Sequence, residues 1–280
     1  MTFQPTAVLS GYSGWLVLQR TEERQREIFE DSATIKREVD YFRENIANVT
    51  SAEDLVKDRR LLSVALGAFG LGDEIDKRAF IQRILESDTS DPKSFASKLS
   101  DVRFEEFSKA FGFGSLTNGT NVKLYSFQDD IVAKYMSRAF EEALGESDDD
   151  MRLAMNFRRE IGTIATGSGV ATAGWFQAMG QLPLQEVITT AFGFSDSFSQ
   201  LDIDRQKELL EQKADQLYGK DTAAIFEDPE IVDDVLRRFF MFRQLESGPS
   251  ASTPGYGALT MLQSAAVGGD SITNLLLSQS

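Results

Sequence analysis

Ala68-Phe69-Gly70-Leu71, Ala110-Phe111-Gly112-Phe113 and Ala191-Phe192-Gly193-Phe194 write one short signature three times in a single chain. Each closes a run of apolar residues at helical spacing. Glycine takes the left-handed position beyond a helix at no steric cost, and the bulky residue after it folds back onto the last turn. Gly70, Gly112 and Gly193 are therefore read as structural helix stops. They predict an all-α fold, a bundle of roughly ten short-to-medium helices at typical helix length.

Working outward from the first stop, Ser51-Ala52-Glu53-Asp54 reads as a capping box with an acid at N3. Leu55, Leu62, Leu66 and Phe69 form the buried stripe of one helix that runs from it to Gly70. Ile35, Val39, Phe42 and Ile46 mark a core-facing helix before it. After the stop, residues 76–86 are amphipathic, and Asp91-Pro92 has the N-cap and N1 residues of a further helix start. Phe104, Phe107 and Phe111 lead to the second stop. Val122-Lys123-Leu124-Tyr125 is the one β suggestion, a single short strand. Ser126 is a cap for a helix with Ile131, Tyr135 and Phe140 inside, ending at Gly145. Pro183 opens the helix that stops at Gly193, Asp202 caps one ending at Gly219, and Asp228-Pro229 repeats the start signal. Near the N-terminus a helix starts at about Trp15. Its stretch Gln19 to Glu27 holds no apolar residue and is expected to be solvated or to face another chain.

Three segments follow: a lead over 1–14, a helical domain over 15–247, and a linker with an apolar tail over 248–280. Phe42-Arg43-Glu44-Asn45-Ile46 is echoed by Phe157-Arg158-Arg159-Glu160-Ile161. Both copies are followed by an Ala-Phe-Gly stop, an amphipathic helix and an Asp-Pro start. That order suggests two similar halves, 32–145 and 148–247. In the tail, Leu259, Met261, Leu262, Leu275 and Leu276 behind a Pro/Ser/Gly linker are candidate partner contacts.

The chain offers little to chemistry. It has neither cysteine nor histidine, which removes thiol nucleophiles, disulfides, Cys/His metal sites and histidine-based triads. The net charge of −15 disfavours nucleic acid and anionic lipid. No window is apolar enough to span a membrane, and the start lacks a cleavable signal peptide. Gly112-Phe113-Gly114 lacks the third glycine of a dinucleotide site and follows a helix where that site needs a strand. The acidic run Glu146 to Asp150 lacks the alternating ligands of a calcium loop and suits a helix start. Paired carboxylates (Asp73/Glu74, Asp202/Asp204, Asp233/Asp234) sit where capping and solvation explain them. Asp58, Arg59 and Arg60 read as a pair buried in the fold or as a docking face. No catalytic, cofactor-binding or metal residue is assigned, and composition leaves the oligomeric state open.

The segments Tyr41 to Ile46, Ser51 to Leu55, and Asp58-Arg59-Arg60-Leu61-Leu62 through Ala68-Phe69-Gly70-Leu71 carry a resemblance. Together with Asp91-Pro92, Ser94-Phe95, Leu99, Asp101 and Phe111-Gly112-Phe113, this pattern resembles an alphaproteobacterial domain-of-unknown-function family. Members tend to be encoded among flagellar genes, and some are labelled flagellar basal-body rod proteins. The resemblance implies a non-catalytic flagellar structural, export or assembly protein whose partners are flagellar components. Its place would be the cytoplasm or, by export without a cleaved signal, the basal body. Two other readings stand beside it: a cytoplasmic helical adaptor or chaperone holding a partner helix, and a carboxylate-based enzyme with two facing acids of separated pKa.

Overall fold

The computed structural model describes residues 4–5, 9–99, 101–115 and 119–247, and the regular structure among them is helical throughout. The α-helices are α1 (Gly11–Glu30), α2 (Ala33–Asn45), α3 (Ala52–Lys57), α4 (Arg59–Gly67), α5 (Arg78–Leu85) and α6 (Val102–Phe111). They continue with α7 (Phe127–Gly145), α8 (Asp149–Ala165), α9 (Val170–Met179), α10 (Leu182–Phe192), α11 (Ile203–Tyr218) and α12 (Pro229–Ser247). The all-α expectation holds. Residues 248–280, with Leu259, Met261, Leu262, Leu275 and Leu276, lie outside the described residues.

The helix ends are set by local chemistry. Gly70, Gly112 and Gly193 have φ of +67°, +70° and +75°. At Gly70 the following Leu71 N–H reaches back to the Leu66 carbonyl at 2.9 Å, and Phe194 does the same to Thr189 at 2.9 Å. That is the Schellman closure, and Leu71 is buried against the turn it closes. Gly112 makes the simpler closure, its own N–H on the Ser108 carbonyl at 2.9 Å. At the helix starts, Ser51 and Asp54 form the reciprocal capping box of α3. Asp101, Asp148 and Asp202 each accept a backbone N–H at the start of α6, α8 and α11.

Five local expectations need correction. The stripe from Leu55 to Phe69 belongs to two helices, because Asp58 turns extended (φ −90°, ψ 100°) and caps α4 by accepting from Arg60 N and Leu61 N. Asp91-Pro92 starts only a single turn: Asp91 accepts from Lys93 N at 2.8 Å, and the next α-helix waits until Asp101 caps it. Val122 lies in the 3-10 turn Asn121–Lys123, not in a strand, closed by the Thr120 hydroxyl accepting from Val122 N. Ser126 stands at the N-cap of α7 without a capping bond. Finally, α1 begins at Gly11, before Trp15, and its polar middle is not simply solvated. Glu22, 16 % exposed, bridges Arg26 and Arg158, and Arg26 lies over the Phe140 ring at 4.6 Å.

Two groups of helices repeat a pattern of neighbours. In the first, α4 packs on α2, α3 and α7, while α3 also meets α5. In the second, α10 packs on α8, α9 and α12, while α9 also meets α11. The Phe42 and Phe157 echoes fall on α2 and α8, which hold matching places; both rings are fully buried. Helix α1 touches α2 and α7 of one group and α8 and α12 of the other. Its Trp15 sits against Phe240 at 5.8 Å. The groups join directly where α7 packs on α8.

Candidate functional site: a charged cleft where the helix groups meet

Beside the α7–α8 contact, the start of α6 and the start of α10 close a cleft of 390 Å³. A second hollow of 640 Å³, bordered by Phe69 and Lys134, shares the wall formed by Glu106, Arg138 and Glu160. The wall is assembled from three helices, α6, α7 and α8.

Each charge is held by the element that presents it. Asp101, the N-cap of α6, accepts from Arg103 N at 3.0 Å and grips the Arg103 guanidinium at 2.7 Å. Burial would raise the Asp101 carboxyl, but the Arg103 hydrogen bonds outweigh it and hold it below the ordinary carboxylate range. Arg103 then reaches across to donate to the Gly70 carbonyl at 2.6 Å. A Cβ on Gly70 would meet Arg138 Nη1 at 3.0 Å. Gly70 thus serves twice, as a helix stop and as the point where two arginines approach the backbone.

Arg138 donates to Glu160 at 2.8 Å. Arg159 forks onto Glu141 at 2.8 and 2.9 Å, and also contacts Glu160. Glu141 is almost wholly buried, so its charge depends on that fork. Desolvation, with Arg159 close by, lowers the Arg138 pKa. Glu106 differs from the other acids. Among the described residues it has neither a hydrogen-bond nor an ion-pair partner, and desolvation, then the charge of Glu160, push its pKa up. Asn156, on the α8 wall, has a buried Oδ1 without a partner. The cleft therefore offers one open carboxylate beside pairs that neutralise each other.

Its rim is apolar. Val102 and Leu182 border it at 42 % and 76 % exposure. Arg238 donates to the Ala191 carbonyl at 2.9 Å and Arg243 pairs with Glu186, so α12 runs antiparallel to α10. The last turns of α12 thereby run along the first turns of α10, and Met241 and Leu245, one turn apart on α12, are exposed.

One acid of each carboxylate pair singled out in the sequence is engaged elsewhere. Glu74 pairs with Lys77, Asp202 caps α11, and Asp234 takes the Tyr218 hydroxyl and Arg237. Asp148 of the acidic run caps α8. Asp58 accepts the Tyr41 hydroxyl at 2.7 Å, under an Arg60 guanidinium 3.6 Å above the Tyr41 ring. Among the described residues, no three acids are placed so that they could hold one metal ion, and no helix is long and apolar enough to cross a membrane. Of the three stops, Gly70 borders the cleft charges; Gly112 backs onto Asn121 and Gly193 onto Phe242. Sequence reasoning missed Glu106, Arg138 and Glu160. The signal that held part of the cleft was the echo itself, since Arg159 and Glu160 lie inside it.

Comparison with known proteins follows the same lines. The family described as "Protein of unknown function (DUF1217)" matches residues 68–232, more than half of the chain, from the first stop into α12. The protein AGR_C_984 of Agrobacterium tumefaciens, known from an X-ray crystal structure, is similar at 26 % identity with a TM-score of 0.71. The likeness covers 89 % of this chain and 98 % of that one. No curated protein matches the chain.

Proposed function

The chain belongs to the DUF1217 family, and on that premise we propose that it is a non-catalytic, flagellum-associated protein acting in structure, export or assembly through protein–protein contacts. The flagellar part rests on the resemblance of Asp58 to Leu71 and its flanking segments to a family encoded among flagellar genes. The observation that supports a contact role is the exposed apolar pair at the cleft, Val102 and Leu182; Met241 and Leu245 on α12 are exposed as well. Single exposed apolar residues are ordinary, but apolar residues grouped around a recess are what a partner covers. The candidate contacts Leu259, Met261, Leu262, Leu275 and Leu276 follow α12 in sequence, behind the Pro/Ser/Gly linker. On this reading the protein works in the cytoplasm or at the basal body.

A photo-crosslinking residue in place of Leu182, expressed in cells, tests the contact. The expected result is an adduct with a flagellar component, absent when the same residue replaces the exposed Glu44 on α2. Identical adducts at both positions, or none at Leu182, would count against the reading. The cytoplasmic adaptor is the second reading, because the recess lies between helices as a helix-binding groove does. Adducts confined to the cytosolic fraction would favour it.

A further inference from the structure

We infer that the cleft between α6, α7, α8 and α10 receives an arginine side chain from a partner protein, with Glu106 as its anchor. The inference rests on the protein-contact reading above and names the partner's chemistry.

Three acids line the cleft. Asp101 is gripped by Arg103 at 2.7 Å and Glu160 by Arg138 at 2.8 Å, which leaves Glu106 as the acid without a partner. The Asn156 Oδ1 in the α8 wall, also without a partner, is likewise an acceptor. An occupant that completes this site must donate. A carboxylate or phosphate would meet the like charge of Glu106, beside arginines that already have their anions. The start of α10 borders the cleft too, but Pro183 removes one of its free N–H donors.

Arginine fits better than lysine. Its planar fork presents several donors at once, to a carboxylate and to a second acceptor, and it sheds water more readily than an ammonium. The volume of 390 Å³ admits one long side chain. Val102 and Leu182 would flank its methylene stem as it enters, the usual way a long cation uses an apolar wall. Arg138 and Lys134 are the cations nearest Glu106 in charge effect; Arg138 is neutralised by Glu160, and Lys134 faces the neighbouring hollow.

The test titrates the full chain against labelled twelve-residue peptides that differ only at a central position flanked by leucines. That position carries arginine, its neutral isostere citrulline, or glutamate, and binding is read by fluorescence anisotropy. The arginine peptide is expected to bind about tenfold tighter than the citrulline peptide, the scale of one charge-assisted contact. Glu106→Gln should abolish that preference with thermal stability unchanged or higher, since the charge removed is one its surroundings disfavour. Equal binding of arginine and citrulline peptides overturns the inference. So does a preference that survives Glu106→Gln, tightest binding by the glutamate peptide, or no binding at all. If all three peptides bind alike and Leu182→Asp removes that binding, the arginine site fails while the contact reading stands.

Discussion

Replacing Trp175 by alanine is expected to cost about 4 kcal/mol of unfolding free energy, read from urea denaturation of the full chain. The indole is 1 % exposed and its Nε1 donates to the Asp221 carbonyl at 2.7 Å. Its ring lies edge-on to Phe192 of α10 at 6.2 Å and to Phe226 at 5.8 Å, and Phe226 in turn meets Phe157 of α8 at 5.5 Å. One side chain thus ties α9 to α10 and to the 3-10 turn Ala223–Glu227, and through Phe226 to α8. Alanine removes the ring contacts, leaves a cavity and strips the Asp221 carbonyl of a donor. Trp175→Phe keeps most of the packing and loses the hydrogen bond, so about 1 kcal/mol is expected for it. A loss below 1 kcal/mol for Trp175→Ala would contradict this account of the second helix group.

Glu141→Ala is expected to cost about 3 kcal/mol, because it strands the Arg159 charge at the joint between α7 and α8. Glu141 is 4 % exposed and accepts both arms of the Arg159 fork. Arg159 also touches Glu160, which holds Arg138. Freed from Glu141, the guanidinium would compete for Glu160 and loosen the cleft wall. Replacing both partners by apolar residues of similar size, Glu141→Leu with Arg159→Met, should recover most of the loss, since no charge is then left unpaired. A double variant as unstable as Glu141→Ala would mean that packing at this joint, rather than charge, sets its strength. Urea titration of the single and double variants separates the two.

The fold was legible wherever a local signal agreed with a long apolar stripe. Asp228-Pro229 is followed by Val235, Leu236, Phe239 and Phe240, all buried, and a long helix forms. The same dipeptide at Asp91-Pro92 has only Phe95, Ala96 and Leu99 before Asp101 starts α6, so the start signal yields a turn. Asp58 shows the reverse case. An extended residue that caps the next helix splits a stripe that periodicity alone joins, and the Tyr41 hydroxyl that helps hold it lies 17 residues away. The cleft was illegible for a related reason. Glu106, Arg138 and Glu160 come from three helices, and each looks like an ordinary charge on a polar face. Only packing brings them to one wall. Gly70 carried a readable signal for its conformation and none for the arginine that binds its carbonyl, because that arginine sits 33 residues further on.

The proposal that this protein serves the flagellum through contacts rather than chemistry is tested most directly by a clean deletion of its gene. Swimming in soft agar and electron microscopy of purified basal bodies are the readouts, with the full chain and the Leu182→Asp variant supplied in trans. The account predicts lost or impaired swimming with incomplete or missing basal bodies in the deletion strain. It also predicts rescue by the full chain and failure of rescue by Leu182→Asp at equal protein level. Normal swimming with normal basal bodies in the deletion strain would contradict it.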